Sequence, residues 1–270
     1  MRACKFLFTG DIGMSTPKLH HYVPQFYLRR FTDSTGKLWV WDRKRDRVFS
    51  ARPASVAAES NFYSLPHLSE LGHDPLTMEK QFADLEGEVA TITRQWIDWI
   101  REDDPDPSAD PDALLLPVPV VNRDLVSTFL ALQFLRIEDA RSILTALART
   151  VGWVADSRAD RRVLHAELLW NDELITFFAN HIGRCTWLFG HNRTSTPFVS
   201  SDNPVAFRSS DNRKWLKAGV LAGGTYVVYP LAPDVVMYCY PDEGRWRAAK
   251  ISRVRLPSIT SQVYRPNGTG

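Results

Sequence analysis

Apolar side chains recur at positions 78, 82, 85, 89, 92, 96 and 99 of "PLTMEKQFADLEGEVATITRQWIDWIRED". Steps of three and four put them on one face of a single helix, so the middle of this chain must be helical and must bury that face. The acidic, proline-rich "DDPDPSADPD" ends the helix. "NRDLVSTFLALQFLRIEDARSILTALARTVGWV" predicts a second helix, with Asn122 as its N-cap. "RADRRVLHAELLW" and "DELITFFANHI" predict one broken helix or two.

The flanks carry a different pattern. Pro24 is expected to open a short helix through "QFYLRRF". "GKLWVWDRKRDRVFSA" reads as a hairpin with "RKRDR" as its turn, Trp39 and Trp41 on one strand face, Leu38 and Val40 on the other. Pro53 is expected to open a short helical turn ending near Asn61. Beyond the helices, "CTWLFGHN", "TPFVSSD", "PVAFR", "TYVVYPL" and "VVMYCY" are short, aromatic and β-branched, and read as strands. Strand, helix and strand segments in separate blocks predict an α+β fold: an N-terminal hairpin module, central long helices and C-terminal antiparallel strands in one compact domain over 16–256. Residues 1–15 are expected to be disordered or a mis-called start, because Met14 precedes the more natural opening "STPKLHHYVP". Residues 257–270 are expected to fray.

Composition narrows the function classes. The 270 residues are 44% apolar and 24% charged, as in an ordinary soluble globular protein. A net charge of +2 is too small to draw nucleic acid or acidic membrane by bulk attraction. No apolar run approaches the ~18 residues of a membrane span, so no membrane partner is expected. Three cysteines without a CxxC spacing argue against a disulfide framework or a cysteine zinc site, and favour a reducing, cytoplasmic setting. Oligomeric state is left open by the sequence.

"HHYVPQFYLRRF", "GKLWVWDR", "SVAAESNFYSL", "MEKQFADLEGEVA", "ALQFLR", "PFVSSDNPV" and "YPLAP" occur in that order. Together they resemble the uncharacterised bacterial family catalogued as domain of unknown function 4238, over roughly residues 18–240. The resemblance implies a fold unit and a set of motif residues, not a reaction. It also implies a further helical segment after the last strands, where this chain has a polar tail, so part of the domain is expected to be missing.

Polar residues of catalytic type sit at element ends or interrupt apolar runs, where local folding logic fails. His20 and His21 open the chain's first motif, and Gln25 follows them in its Pro-Gln-aromatic run. "HHxVP" also resembles the opening of ββα-metal nucleases. Adjacent residues on an extended segment face opposite sides, so one histidine could bind a divalent metal while the other deprotonates water. That layout needs a hairpin and then a ligand-bearing helix, with Glu59 and Asn61 as the residues in place. Glu79 and Glu86 are seven apart on one helix face, suited to metal binding or to acid–base work. Gln133 and Arg136 interrupt "FLALQFLRI". A buried Arg136 requires a carboxylate, such as Glu79 or Glu86, or an anionic ligand. Asp202 and Asn203 cluster with Ser200 and Ser201 before Pro204.

The set predicts catalytic roles for His20, His21, Gln25, Arg136, Asp202 and Asn203, and metal ligation by His21, Glu79, Glu86 and Asp202. The function expected is a metal-dependent hydrolase or nuclease acting on a phosphodiester. The rival is a non-catalytic binding or interaction module in which the same residues form a buried structural network. Nucleic acid is a candidate partner through the basic "DRKRDR" beside Trp39 and Trp41.

Overall fold

The computed structural model describes residues 19–60, 77–102, 118–137, 140, 164–165, 169, 171–209 and 225–241. Expectations for the two chain ends, for Asn61, and for most of the stretch between 138 and 170 lie outside the described residues.

The fold is α+β. Strand β1 (Leu19–His21) leads into helix α1 (Gln25–Leu28) and a 3-10 turn at Arg29–Phe31. Strands β2 (Leu38–Asp42) and β3 (Arg47–Ala51) form the hairpin, and β4 (Ala58–Ser60) pairs back onto β1. Helices α2 (Thr77–Glu102), α3 (Val120–Leu135) and α4 (Asp172–Arg184) follow. Strands β5 (Thr186–His191), β6 (Ala206–Ser209), β7 (Thr225–Ala232) and β8 (Val235–Tyr240) form an antiparallel sheet in the order β5-β8-β7-β6.

The sheet buries both faces, which is why its strands read as nearly continuous apolar runs. Val227, Tyr229, Leu231, Met237 and Cys239 face the helices, while Val228, Val236 and Tyr238 pack on the other side with Tyr226 and Tyr240. The apolar face of α2 meets the sheet through Trp96, whose ring lies edge-on to Trp187 and Phe189. Among the described residues one core cluster takes in Tyr27 of α1, Leu38 of β2, all three long helices and the sheet.

The N-terminal segment is pinned by polar contacts as well as by packing. Arg30 donates to the Leu231 carbonyl at 3.3 Å, to the Ala90 carbonyl at 3.2 Å and to Thr93 Oγ1 at 2.6 Å, joining it to both α2 and β7. Tyr27 stacks on Tyr229 with centroids 5.2 Å apart.

Several local expectations need correction. Pro24 is the N-cap of α1, not its first residue, and its ψ of 140° keeps it extended. Arg47 belongs to β3, so the hairpin turn is Arg43–Asp46. Only Pro53–Ser55 forms a helical turn, and the residues after it pair as strand β4. Asn122 lies inside α3, which starts after Pro119 without a side-chain cap. Helix α3 also stops early, at Leu135, with Arg136 as C-cap, and the Leu135 carbonyl accepts from His165 Nε2 at 2.8 Å. "TPFVSSD" forms no strand: turn bonds around Asn192 and Ser201 replace ladder bonds there.

Candidate functional site

Strand β1 alternates as an extended segment must: His20 is fully buried, and the neighbouring His21 reaches the surface of a cleft. The cleft has a volume of about 290 Å³. Helix α2 contributes Glu79, Phe82 and Glu86, spaced by three, four and seven, with Gly87 next to Glu86. Gln25, Phe26 and Arg29 of the N-terminal segment line the cleft too, as does Arg136.

The cleft is anchored by a chain of hydrogen bonds, one buried and two part-buried. Gln133 Nε2 donates to the Tyr22 carbonyl at 2.9 Å, and Arg136 Nε donates to Gln133 Oε1 at 2.9 Å. Arg136 Nη1 then donates to Glu86 Oε1 at 2.6 Å. The guanidinium also lies over the Phe82 ring, 5.4 Å from its centroid. The buried cation required by "FLALQFLRI" therefore finds its carboxylate on the neighbouring helix.

Glu79 has a different environment. No donor among the described residues bonds its carboxyl. Burial, reinforced by the nearby Glu86 charge, pushes its pKa up to about 7 despite the opposing pull of Arg136. The two carboxyls thus divide: one is ion-paired, the other carries a proton near neutral pH.

His21 Nε2 lies 3.2 Å from the Ala54 carbonyl. A carbonyl only accepts, so Nε2 carries the hydrogen and Nδ1 is the basic nitrogen of the neutral ring. Burial lowers the pKa of His21, outweighing the Ala54 and Pro53 carbonyls that favour the cation. Gln25 Oε1 accepts from Arg29 Nη2 at 3.1 Å, one helical turn away, and so orients that exposed guanidinium beside the cleft. Arg29 was missed by sequence reasoning. Its spacing of four from Gln25 was the available signal.

His21, Gln25, Glu79, Glu86 and Arg136 thus meet at one cleft, whereas His20, Asp202 and Asn203 do not line it. His20 points the other way and pairs in register with Glu59 across β1–β4. Glu59 therefore sits on a strand, not on the helix that a ββα-metal layout requires. Asp202 is exposed, and Ser201 Oγ bonds both the carbonyl and the N–H of Asn203 in a local turn. The motif reaches the core through Ser200, whose Oγ lies 2.7 Å from the buried Tyr27 hydroxyl.

Of the expected metal set, His21, Glu79 and Glu86 line the cleft and Asp202 does not. Among the described residues no group of three or more His, Cys, Asp or Glu is placed to hold a metal ion. Asp202 lies away from the cleft, and Glu86 already accepts the Arg136 bond. No helix among the described residues is long and apolar enough to cross a membrane.

A family model described as "Protein of unknown function (DUF4238)" matches residues 19–267, nearly the whole chain. No curated protein and no solved structure matches it.

Proposed function

The chain belongs to this DUF4238 family, and for it we propose a hydrolase that cleaves a phosphodiester by general acid–base catalysis in the α1–α2 cleft. The observation that carries this reading is the meeting of Glu79, His21 and Arg29 around one open space, with Glu79 lacking a donor among the described residues. Arg29 holds the phosphate. Nε and Nη1 of Arg136 are committed to Gln133 and Glu86.

His21 Nδ1 takes a proton from the attacking water as the new P–O bond forms. The bond from phosphorus to the leaving oxygen breaks, and the Glu79 carboxyl gives that oxygen its proton. A phosphomonoester and an alcohol result, and solvent returns the proton from His21 to Glu79. No step is routed through a metal. A nucleic acid strand is the substrate class that supplies such diesters. A reducing cytoplasm suits the buried thiols of Cys185 and Cys239.

The test is hydrolysis of bis-p-nitrophenyl phosphate and of short oligonucleotides by the intact chain, with and without a chelator. Glu79→Gln and His21→Asn should each lower kcat by about 10²-fold or more with unchanged melting. Absence of turnover between pH 6 and 7 sinks the reading. Turnover that a chelator abolishes moves it to a metal mechanism.

One observation favours the non-catalytic rival for part of the set. The Tyr22–Gln133–Arg136–Glu86 chain is linked residue to residue by hydrogen bonds, with Gln133 and Arg136 buried, as in a structural network. These residues hold the cleft's shape under either reading.

A further inference from the structure

The β2–β3 ribbon buries only one of its faces. Leu38 and Val40 pack inward, whereas Trp39 is 71% exposed, Trp41 45% and Val48 65%. In register, Trp39 faces Ser50 and Trp41 faces Val48, so these side chains share the outer surface. Large aromatics held in water on a two-stranded ribbon add nothing to the core.

Their surroundings are basic. Between Lys37 and Arg52 the chain carries six cations, Lys37, Arg43, Lys44, Arg45, Arg47 and Arg52, against two carboxylates. Both carboxylates have local partners. Asp42 takes Arg45 at 2.9 Å and Arg47 at 3.6 Å, and Asp46 accepts the Trp41 indole N–H at 3.2 Å. That last bond fixes the orientation of one ring, and a surplus of positive charge remains around both.

We propose that this face is a stacking platform for single-stranded nucleic acid, with Trp39 and Trp41 taking bases and the surrounding cations taking phosphates. Spacing supports the match. Residues two apart on a strand are about 6.8 Å apart, twice the ~3.4 Å rise per base of a stacked strand. Two indoles so spaced suit successive bases drawn apart. Every base has a face to stack, and arginine adds cation–π attraction. Charge complementarity selects a polyanion over an apolar protein partner, because six cations stand here against two carboxylates.

The platform deepens the hydrolase reading, on which it rests for cleavage but not for binding. Strand β3 leads within a few residues to Ala54, whose carbonyl holds His21. The ribbon's Ser50 is therefore at most about 14 Å of extended chain from that anchor, and one strand can lie on both.

The test is fluorescence anisotropy of a labelled, mixed-sequence oligonucleotide of about ten bases, as DNA and as RNA, with the full chain at low salt. Binding is expected, weakening steeply with salt. Trp39→Ala and Trp41→Ala should each weaken it by about tenfold, and Arg45→Ala should flatten the salt dependence. Both tryptophans are exposed, so unchanged melting should accompany the loss. Failure of the intact chain to bind, unchanged binding by the double tryptophan variant, or equal competition by polyglutamate overturns the proposal. Binding without cleavage overturns only the hydrolase. Cleavage of the small diester without strand binding overturns only the platform.

Discussion

Arg136 Nη1 donates to Glu86 Oε1 at 2.6 Å, tying the end of α3 to the cleft face of α2. The two partners differ in burial: the guanidinium is 2% exposed and the carboxylate 23%. Removing the carboxylate strands a buried cation, which costs about 3–5 kcal/mol. Glu86→Ala is therefore expected to lower the urea-unfolding free energy by that amount. Glu86→Leu combined with Arg136→Met should lose much less than the sum of the single changes. A Glu86→Ala loss below about 0.5 kcal/mol would show that the pair does not hold the helices.

Glu79 should respond in the opposite direction. Its folded pKa, about 7, lies above the ordinary carboxyl value of 4.5. Between those values the unfolded chain has released the proton that the folded chain retains, so stability falls as pH rises through the window. Glutamine has no such cost. Glu79→Gln is expected to be nearly neutral at pH 5 and stabilising by about 1 kcal/mol at pH 8, once solvent screening of a partly exposed group is allowed for. Urea titrations at the two pH values measure the difference, and equal effects at both would refute the raised pKa.

Activity should follow a narrow bell. The base, His21, must be neutral, and burial holds its pKa below 6.5. The acid, Glu79, must be protonated, and it ionises near 7. The kcat/KM profile for a small phosphodiester is expected to peak between the two and to fall on the alkaline side about tenfold per pH unit. Glu79→Gln should flatten the alkaline limb, and His21→Asn the acidic one. A wild-type plateau extending past pH 8 would remove Glu79 from the acid role.

The PFVSSDNPV motif divides by depth. The buried Tyr27 hydroxyl lies 2.7 Å from the Oγ of half-buried Ser200, whereas Asp202 is exposed and does not line the cleft. Tyr27→Phe should cost about 1 kcal/mol. Asp202→Ala should change stability by less than about 0.5 kcal/mol and leave turnover intact. Loss of turnover in a normally melting Asp202→Ala variant would return this loop to the site.

The period of α2, the hairpin faces and the strand blocks were legible because burial imposes spacing. Residues 82, 89, 92 and 96 are buried as the three-four pattern requires. Arg136 was legible for the same reason, since an ion inside an apolar run must find a partner. The stop of α3 at Leu135 was not, because neither glycine nor proline marks it. The bonds at that stop come from Gln133, Glu86 and His165, residues apart in sequence. The pairing of β4 with β1 was hidden similarly: three residues carry too short a pattern to outweigh the helical signal of Pro53. The placement of Asp202 off the cleft was not legible, because a turn and a site use the same residue types and only position in the fold separates them.

Gly87 offers a way to close the cleft without touching its polar groups. It lies on the cleft wall within α2, and a Cβ built there meets no heavy atom within 4 Å. Glycine in a helix interior costs roughly 0.5–1 kcal/mol relative to alanine. Gly87→Ala is therefore expected to raise stability by about that amount. Gly87→Leu should fold as well as wild type, because its side chain enters the cleft and not the core. There it competes with substrate for a space of about 290 Å³. KM for a small diester should rise at least tenfold in Gly87→Leu and stay near wild type in Gly87→Ala. If Gly87→Leu turns over substrate normally while melting normally, the chemistry lies elsewhere on the molecule.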